Sequence, residues 1–501
     1  MNSNIKKEYL KTTSVLHRAY AETSVEGEVL VPDYFPGIMR IVKTETTPFI
    51  RSDSVKDGKI SVEGNVCFRV LYICENGILR SYTTAMPFSQ NIDVKTERPL
   101  AYSVSAKIEY VNTRALNPQK LYFKATVSVF ADAMRENETC VVKATDADNI
   151  FMLNDSITNF RIISETQKPL KVSDEIIITN KNVSQIIRHD AYVTETERKI
   201  VNGKLIVKGE LILKILYLDG ETSELLNTIH KSGFSQVMEL KDADENCVFE
   251  INSQLSDISV SMNTNSSTTE TSILFDAEIF IKAIAYKNTD EVICTDVFCT
   301  EKEMNISLEE INGQSICNVK KEITVRQTVE IGSYRKIHDI SAFAELEKAD
   351  YYSENGSMIL CGKMNYNIIF TDSEGDYVSV DKQIPFEVSV PVSVGGSAAV
   401  ARCIANIYAN AFVEVDDKNI EIRTDGTCFG TVCVLTKKNA LVSAELTDSP
   451  VECRGSGVTI YYADKGESVF SIAKRYGVDP ESIKKSNEIE DYTDKRRPVI
   501  I

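Results

Sequence analysis

Four histidines could bind a metal or move a proton, and their placement argues against both. His17, His189, His230 and His338 lie far apart, and none stands in an H-x-x-x-H ligand spacing. The pairs Gly58-Lys59, Gly203-Lys204 and Gly362-Lys363 are followed by Ile, Leu and Met, with no earlier Gly at phosphate-loop spacing. Asp242, Asp244 and Asn246 start like a calcium loop, but Cys247 stands where that loop needs Gly and no Glu closes it. Asp146 and Asp148 stop sooner. Gly455-Ser456-Gly457 lacks the G-x-S-x-G frame of a nucleophile elbow and reads as linker. The 12 cysteines contain no C-x-x-C pair, and Cys67 and Cys361 alternate with polar neighbours as small buried apolar residues do. These spacings predict a chain that is not an enzyme and holds no metal or cofactor.

The bulk numbers narrow the partners. The 501 residues carry a net charge of −17, which argues against nucleic acid, because phosphate neutralisation needs a basic footprint. Hydrophobic content of 43% and charged content of 26% are those of a globular protein. Met1–Ala21 carries Lys6, Lys7, Lys11 and Arg18 with no apolar run between them, so no signal peptide is expected. No stretch reaches the roughly 18 apolar residues of a membrane span. Without an export signal, the cysteines are expected as reduced thiols in cytosol.

The elements that must position any site come from a signature written three times: Gly58–Tyr72, Gly203–Tyr217 and Gly356–Phe370. Each copy follows Asp57, Asn202 or Asn355. Each has an internal Gly (Gly64, Gly209, Gly362) and an aromatic at its end. In the first copy Ile60, Val62, Val66, Phe68, Val70 and Tyr72 share one face, with Ser61, Glu63, Asn65, Cys67 and Arg69 on the other. Such period-two alternation predicts a long strand with one face on a core. The Asx-Gly before it suits a tight hairpin, and the internal Gly suggests a bulge or bend. A second turn follows each strand at Asn76-Gly77, Asp219-Gly220 and Glu374-Gly375, and each return strand ends near Phe88, Phe234 or Phe386. Upstream, a stretch with Ile41, Ile187 or Ile340 reads as a helical turn or a strand. Further β-rich stretches follow at Leu121–Ala131, Ile273–Ala285 and Asn419–Val434. The spacing of about 150 residues is that of a domain. The expected fold is mainly β, with three repeated antiparallel β-sandwich-like domains at 24–160, 165–305 and 318–446, after an N-terminal segment at 1–23.

Asp448-Ser449-Pro450 and Gly455-Ser456-Gly457 mark a linker to a small C-terminal βααβ domain at 458–501. Val458–Tyr462 reads as a strand. Ser468 stands as N-cap of a helix whose Val469, Ile472, Ala473 and Tyr476 fall at helical spacing, and Gly477 stops it. Asp479-Pro480 starts a second helix through Ile483 and Asn487, and Arg497–Ile501 ends as a strand.

Two resemblances attach to these residues. The Asx-Gly, central Gly, terminal Tyr, hairpin and closing Phe resemble the SPOCS domain, a β-rich module of spore-coat and spore-associated proteins of endospore-forming bacteria. The third copy departs from it with Phe370 for Tyr. The tail is similar to a LysM domain at Tyr461-Tyr462, Lys465-Gly466, Ile472-Ala473, Tyr476, Ile483 and Asn487. LysM domains mostly bind N-acetylglucosamine-containing glycans between two loops, and Gly466, Glu467, Ser468, Val469, Asn487, Glu488 and Ile489 would line that groove. The family's Gly-Asp-Thr-Leu-Trp stands here as Gly466, Glu467, Ser468, Val469 and Phe470, which weakens glycan binding. It leaves Glu467, Phe470, Ile489 and Tyr492 as expected protein contacts.

Three SPOCS-like domains with a LysM-like tail resemble the SipL-like spore-coat morphogenetic proteins. The resemblance implies a non-enzymatic scaffold or adaptor in the mother-cell cytoplasm, at the forespore surface. It implies binding to the coat's basement-layer morphogenetic ATPase through the LysM-like groove, with other coat proteins or self-association as further contacts. The alternative is a peptidoglycan or N-acetylglucosamine anchor acting through the same tail.

Overall fold

The computed structural model describes residues 5–15, 19–94, 101–145, 147, 149–179, 181–264, 271–352, 355–392, 398–451 and 457–501. His17, Asp146, Asp148, Cys453, Gly455 and Ser456 lie outside the described residues. The first repeat runs β1 (Ile5–Val15), β2 (Ala19–Leu30), β3 (Ile38–Lys56), β4 (Lys59–Cys74), β5 (Leu79–Asp93), β6 (Ala101–Asn117) and β7 (Lys120–Thr145). The second runs β8 (Ile150–Ile178), β9 (Val183–Val201), β10 (Lys204–Asp219), β11 (Leu225–Glu239), β12 (Val248–Thr264) and β13 (Thr271–Cys299). The third runs β14 (Lys302–Glu330), β15 (Tyr334–Tyr352), β16 (Ser357–Asp372), β17 (Tyr377–Pro391), β18 (Ala398–Glu414) and β19 (Asn419–Pro450). The fold is mainly β. The stretches with Ile41, Ile187 and Ile340 are strands β3, β9 and β15, and no helix occurs among the described residues of the repeats.

Each repeat is a two-sheet sandwich. One sheet takes the signature strand as its centre, in the orders β3-β4-β5, β9-β10-β11 and β15-β16-β17. The other pairs β2 and β6 with β7, β8 and β12 with β13, and β14 and β18 with β19. Phe68 and Phe123 meet across the first sandwich with ring centroids 4.8 Å apart. The Asx-Gly turns have the left-handed backbone that a two-residue hairpin needs: Asp57 and Gly58 at φ 51° and 74°, Asn202 and Gly203 at 50° and 71°.

The internal glycine has a steric cause. Gly209 pairs with Phe234 on β11, and on its other side the register of β9 shifts between Lys208 and Gly209. A β-carbon on Gly209 would run into the Phe234 ring and the Thr194 carbonyl, and Gly64 and Gly362 stand the same way against Phe88 and Phe386. The bulge lies on the neighbouring strand, and the phenylalanine fills the space left by the missing side chain. We expect Gly209→Val to lower unfolding stability by about 1–3 kcal/mol, read as a lower urea midpoint at unchanged slope. An unchanged midpoint would mean that the ring and strand simply shift aside.

The first and last strands of each repeat run past the sandwich as two-stranded ribbons: β1 with the end of β7, the start of β8 with the end of β13, and the start of β14 with the end of β19. Strand therefore fills most of 1–23 and of the stretches between repeats. The three ribbons pack into one stalk. Its interior descends from Met134, Phe160, Tyr286 and Ile316, through Leu10, Val141, Ile157, Ile293 and Ile311, to Val142, Ile150, Val297 and Leu441. The Asn288 amide binds both Ile316 N and Ile316 O at 2.9 Å, which ties the second ribbon to the third. Burial pushes the stalk thiols Cys294 and Cys433 up to about 11 and about 12, which leaves them protonated and poor nucleophiles.

The sandwiches close on one another in a cycle. Ser81 Oγ on β5 donates to Ile186 O on β9 at 3.0 Å. Asn227 Nδ2 on β11 donates to His338 O on β15 at 3.2 Å. Tyr377 O on β17 accepts from Arg40 Nη2 on β3 at 3.1 Å, which joins the third repeat back to the first. Leu71, Leu216 and Ile369, the same position of the three signatures, share one apolar cluster at this junction.

Two junction histidines are expected to make the cycle of sandwiches acid-sensitive. Burial, with Lys336 nearby, lowers His338 to about 4, and burial beside Arg69 lowers His189 too. With folded values below the ordinary 6.5, the unfolded chain takes up protons first as pH falls. That stability is complete above the unfolded value and drains away as pH falls toward the folded one. We expect the urea midpoint to drop between about pH 7 and about pH 5, and His338→Gln to drop less. Equal drops would remove His338 from the cause.

Candidate interaction site at the tip of the stalk

The C-terminal module consists of β20 (Ile460–Ala463), α1 (Val469–Tyr476), α2 (Pro480–Asn487) and β21 (Arg497–Ile500). Gly477 ends α1 in the left-handed region at φ 66°, with its N–H on Ala473 O. Asp479 caps α2 by accepting from Glu481 N at 3.0 Å, with Pro480 in the first turn. Ser468 holds the N-cap position of α1 with an extended backbone but no side-chain capping bond. Ala463, Val469, Ile472, Ala473, Ile483 and Val499 form the core, against which Phe298 of β13 also packs.

The loops before α1 and after α2 are stitched together. Gly466 N donates to Thr493 O at 2.8 Å, Thr493 N to Glu467 O at 3.1 Å, and Val469 N to Asp491 O at 2.9 Å. Thr493 is buried at the seam, and its hydroxyl donates to Asp464 O. Sequence reading missed it, because a lone threonine in a polar loop carries no periodic signal.

The nine residues expected to line the groove or to make protein contacts are separated by the structure, with Glu488 standing as the left-handed C-cap of α2 at φ 52°. Gly466, Ser468 and Tyr492 come together at the stitched loops, and Tyr492 is 63% exposed. Glu467 lies beside them, but its carboxylate accepts from Tyr461 Oη at 2.9 Å and from Asp464 N at 3.1 Å, and so holds its own loop. Arg475 stands 3.6 Å from it, held charged first by its bond with Tyr461 and further by Glu467. Val469 and Asn487 are buried, and Ile489 packs on the module core. The Asn487 amide accepts from Ile500 N at 2.7 Å and donates to Ile500 O and Ile483 O at 2.8 Å, so helix and strand use it fully. Asn487→Leu strands those backbone groups, and we expect the module to lose about 1–3 kcal/mol, read by loss of amide-exchange protection in β21. Undiminished protection there would show that water replaces the amide without cost.

Phe470, expected as a protein contact, faces the repeats: its ring stands edge-on to Phe298 at 5.1 Å, and Phe298 stacks on Phe151 at 5.5 Å. Lys474 pairs with Asp296 on the same ribbon at 2.5 Å. The module is thus seated on the tip of the second ribbon, with the aromatic of α1 as the joint.

Seating leaves another face open. Ile460 pairs with Ile500 and Tyr462 with Pro498, all four on the outer side of β20–β21. Ile460 is 59% exposed, Tyr462 67% and Ile500 47%. The alternation Ile460, Tyr462 and Pro498, Ile500 was readable as the second face of two short strands. Among the described residues, no group of His, Cys, Asp and Glu gathers as a metal ion requires, and no helix is long and apolar enough to cross a membrane.

Comparison with known families meets this geometry at three places. The family model described as "SipL, SPOCS domain" matches residues 37–116 and 182–263, which cover β3 to β6 and β9 to β12. The LysM domain model matches residues 461–493, from β20 through α2 to the second stitched loop. The third repeat has the same strand orders as the two matched ones. No curated protein and no solved structure matches the chain.

Proposed function

We propose, taking as premise that the chain is a SipL-like protein with a C-terminal LysM domain, that it is a non-enzymatic adaptor of spore-coat assembly. It works in the mother-cell cytoplasm at the forespore surface and binds the basement-layer morphogenetic ATPase of the coat through the LysM module. The observation that carries this reading is the seat of that module. It is fixed by Phe470, Phe298 and Phe151 at the far end of the stalk, with an apolar sheet face turned outward. An exposed cluster of Ile460, Tyr462, Pro498 and Ile500 suits a protein surface better than a sugar, and apolar patches of this kind mark docking sites.

The test is direct binding of the purified ATPase to the full chain, to Tyr462→Asp, and to a chain ended after Pro450. Binding by the full chain, lost in both others, supports the adaptor. Equal binding by the shortened chain sinks the module as the dock.

A second reading is a peptidoglycan anchor, favoured by Gly466, Ser468 and Tyr492 meeting at the stitched loops. It competes with Asn487 spent on backbone and Phe470 spent on the joint. Retention of the full chain, and not of the shortened one, on peptidoglycan would favour it.

A further inference from the structure

We infer that the charged residues at the junction of the three repeats are a pairing code that selects the third repeat to close the ring. One guanidinium touches all three repeats. Arg188 on β9 has 1% of its side chain exposed. Its Nη1 donates to Glu45 of the first repeat at 2.9 Å and to Asn367 Oδ1 of the third at 2.7 Å. Its Nε donates to Asp339 of the third repeat at 2.8 Å. Lys214 reaches the other Asp339 oxygen at 2.6 Å. Arg69 holds Glu45 at 3.1 Å and donates to His189 O at 2.9 Å. At the seam between third and first repeats, Lys43 pairs with Asp381, which also accepts from Asn367 at 2.8 Å.

The code appears when equivalent positions are compared. Leu71, Leu216 and Ile369 pair across their sheets with Lys43, Arg188 and Asp339. Arg69, Lys214 and Asn367 pair with Glu45, Asp190 and Ser341. The first and second repeats therefore present cation, carboxylate, cation at these three positions. The third presents a carboxylate and two neutral groups. Two cationic repeats need one anionic partner, and the third repeat alone offers it. A first or second repeat from another copy, entering the third place, would bring like charges together out of water, which is a strong bar to the wrong partner.

Unfolding of the full chain in urea, with mass followed by light scattering, tests the code. Asp339→Arg gives the third repeat a cation at the position where the first two carry one. The equilibrium for releasing it is expected to rise about a hundredfold, seen as a separate early transition. Adding Arg188→Asp moves the anionic position to the second repeat and is expected to bring release back to within about tenfold of the parent. A double variant no better than the single overturns the inference, as does an Asp339→Arg chain that unfolds like the parent. If Asp339→Arg does not fold, a folded double variant supports the code and an unfolded one refutes it. Lys43→Glu, on the half-open seam facing Asp381, is the milder probe. It should increase release at low salt and less at high salt, and indifference to salt would count against a charge code.

Discussion

Replacing Arg188 with leucine should cost the cycle of sandwiches about 3–5 kcal/mol, the largest single loss expected from any one side chain here. The cost comes from what is left behind. Burial alone would lower the guanidinium's pKa, but Asp339, Glu45 and Asp190 outweigh it and hold the group charged. Without that cation, among the described residues Asp339 keeps Lys214 and the Ile340 N–H at 2.9 Å, and Glu45 keeps Arg69. The Asp190 carboxyl, already pushed up by burial, loses its nearest cation at 3.7 Å. A carboxylate in such a site either stays charged without a partner or takes a proton, and both disfavour the folded state. Lysine should not rescue, because a single ammonium cannot reach Glu45, Asn367 and Asp339 together. Equilibrium urea unfolding of the two variants reads the loss. A midpoint within experimental error of the parent for Arg188→Leu would show that the cluster relaxes or takes in water.

That residue also marks where sequence reading stops. The alternation through Gly58–Tyr72, the Asx-Gly turns and the Gly64–Phe88 correspondence lie within one repeat, and each has a local cause that a pattern exposes. Arg69 sits on the face opposite to the core, which alternation alone assigns to water. In the ring, that face is covered by the next repeat, and Arg69 is left with 12% of its side chain exposed. Nothing in a period of two distinguishes a face turned to water from a face turned to a neighbouring copy. The stalk escaped notice for a related reason. Its ribbons are continuous with sandwich strands, so β8 and β14 run through the gaps left between the expected domains. Within the module, helix caps and core were legible because capping and helical spacing are local. The role of Phe470 was not, since it depends on Phe298, which lies in the second repeat.

Phe470→Ala should separate the module from the stalk without unfolding either. Val469, Ile472, Ile483 and Val499 are fully buried within the module and keep one another, whereas Phe298 loses its edge-on partner. Removing a half-buried phenylalanine at an edge-on contact should weaken docking by about 1–3 kcal/mol, and Lys474–Asp296, partly exposed, adds little to oppose this. Calorimetry should show the change as a second transition in place of shared unfolding. Affinity for the ATPase separates this joint from a contact. If Phe470 only seats the module, Phe470→Ala binds the ATPase within about threefold of the parent, while Tyr462→Asp on the outer face falls by about a hundredfold. A hundredfold loss in Phe470→Ala, with calorimetry unchanged, would put Phe470 in the partner's footprint after all and the outer sheet face outside it. A loss in both variants would mean that the partner reads the module and the stalk tip together, as one surface whose geometry the aromatic joint sets.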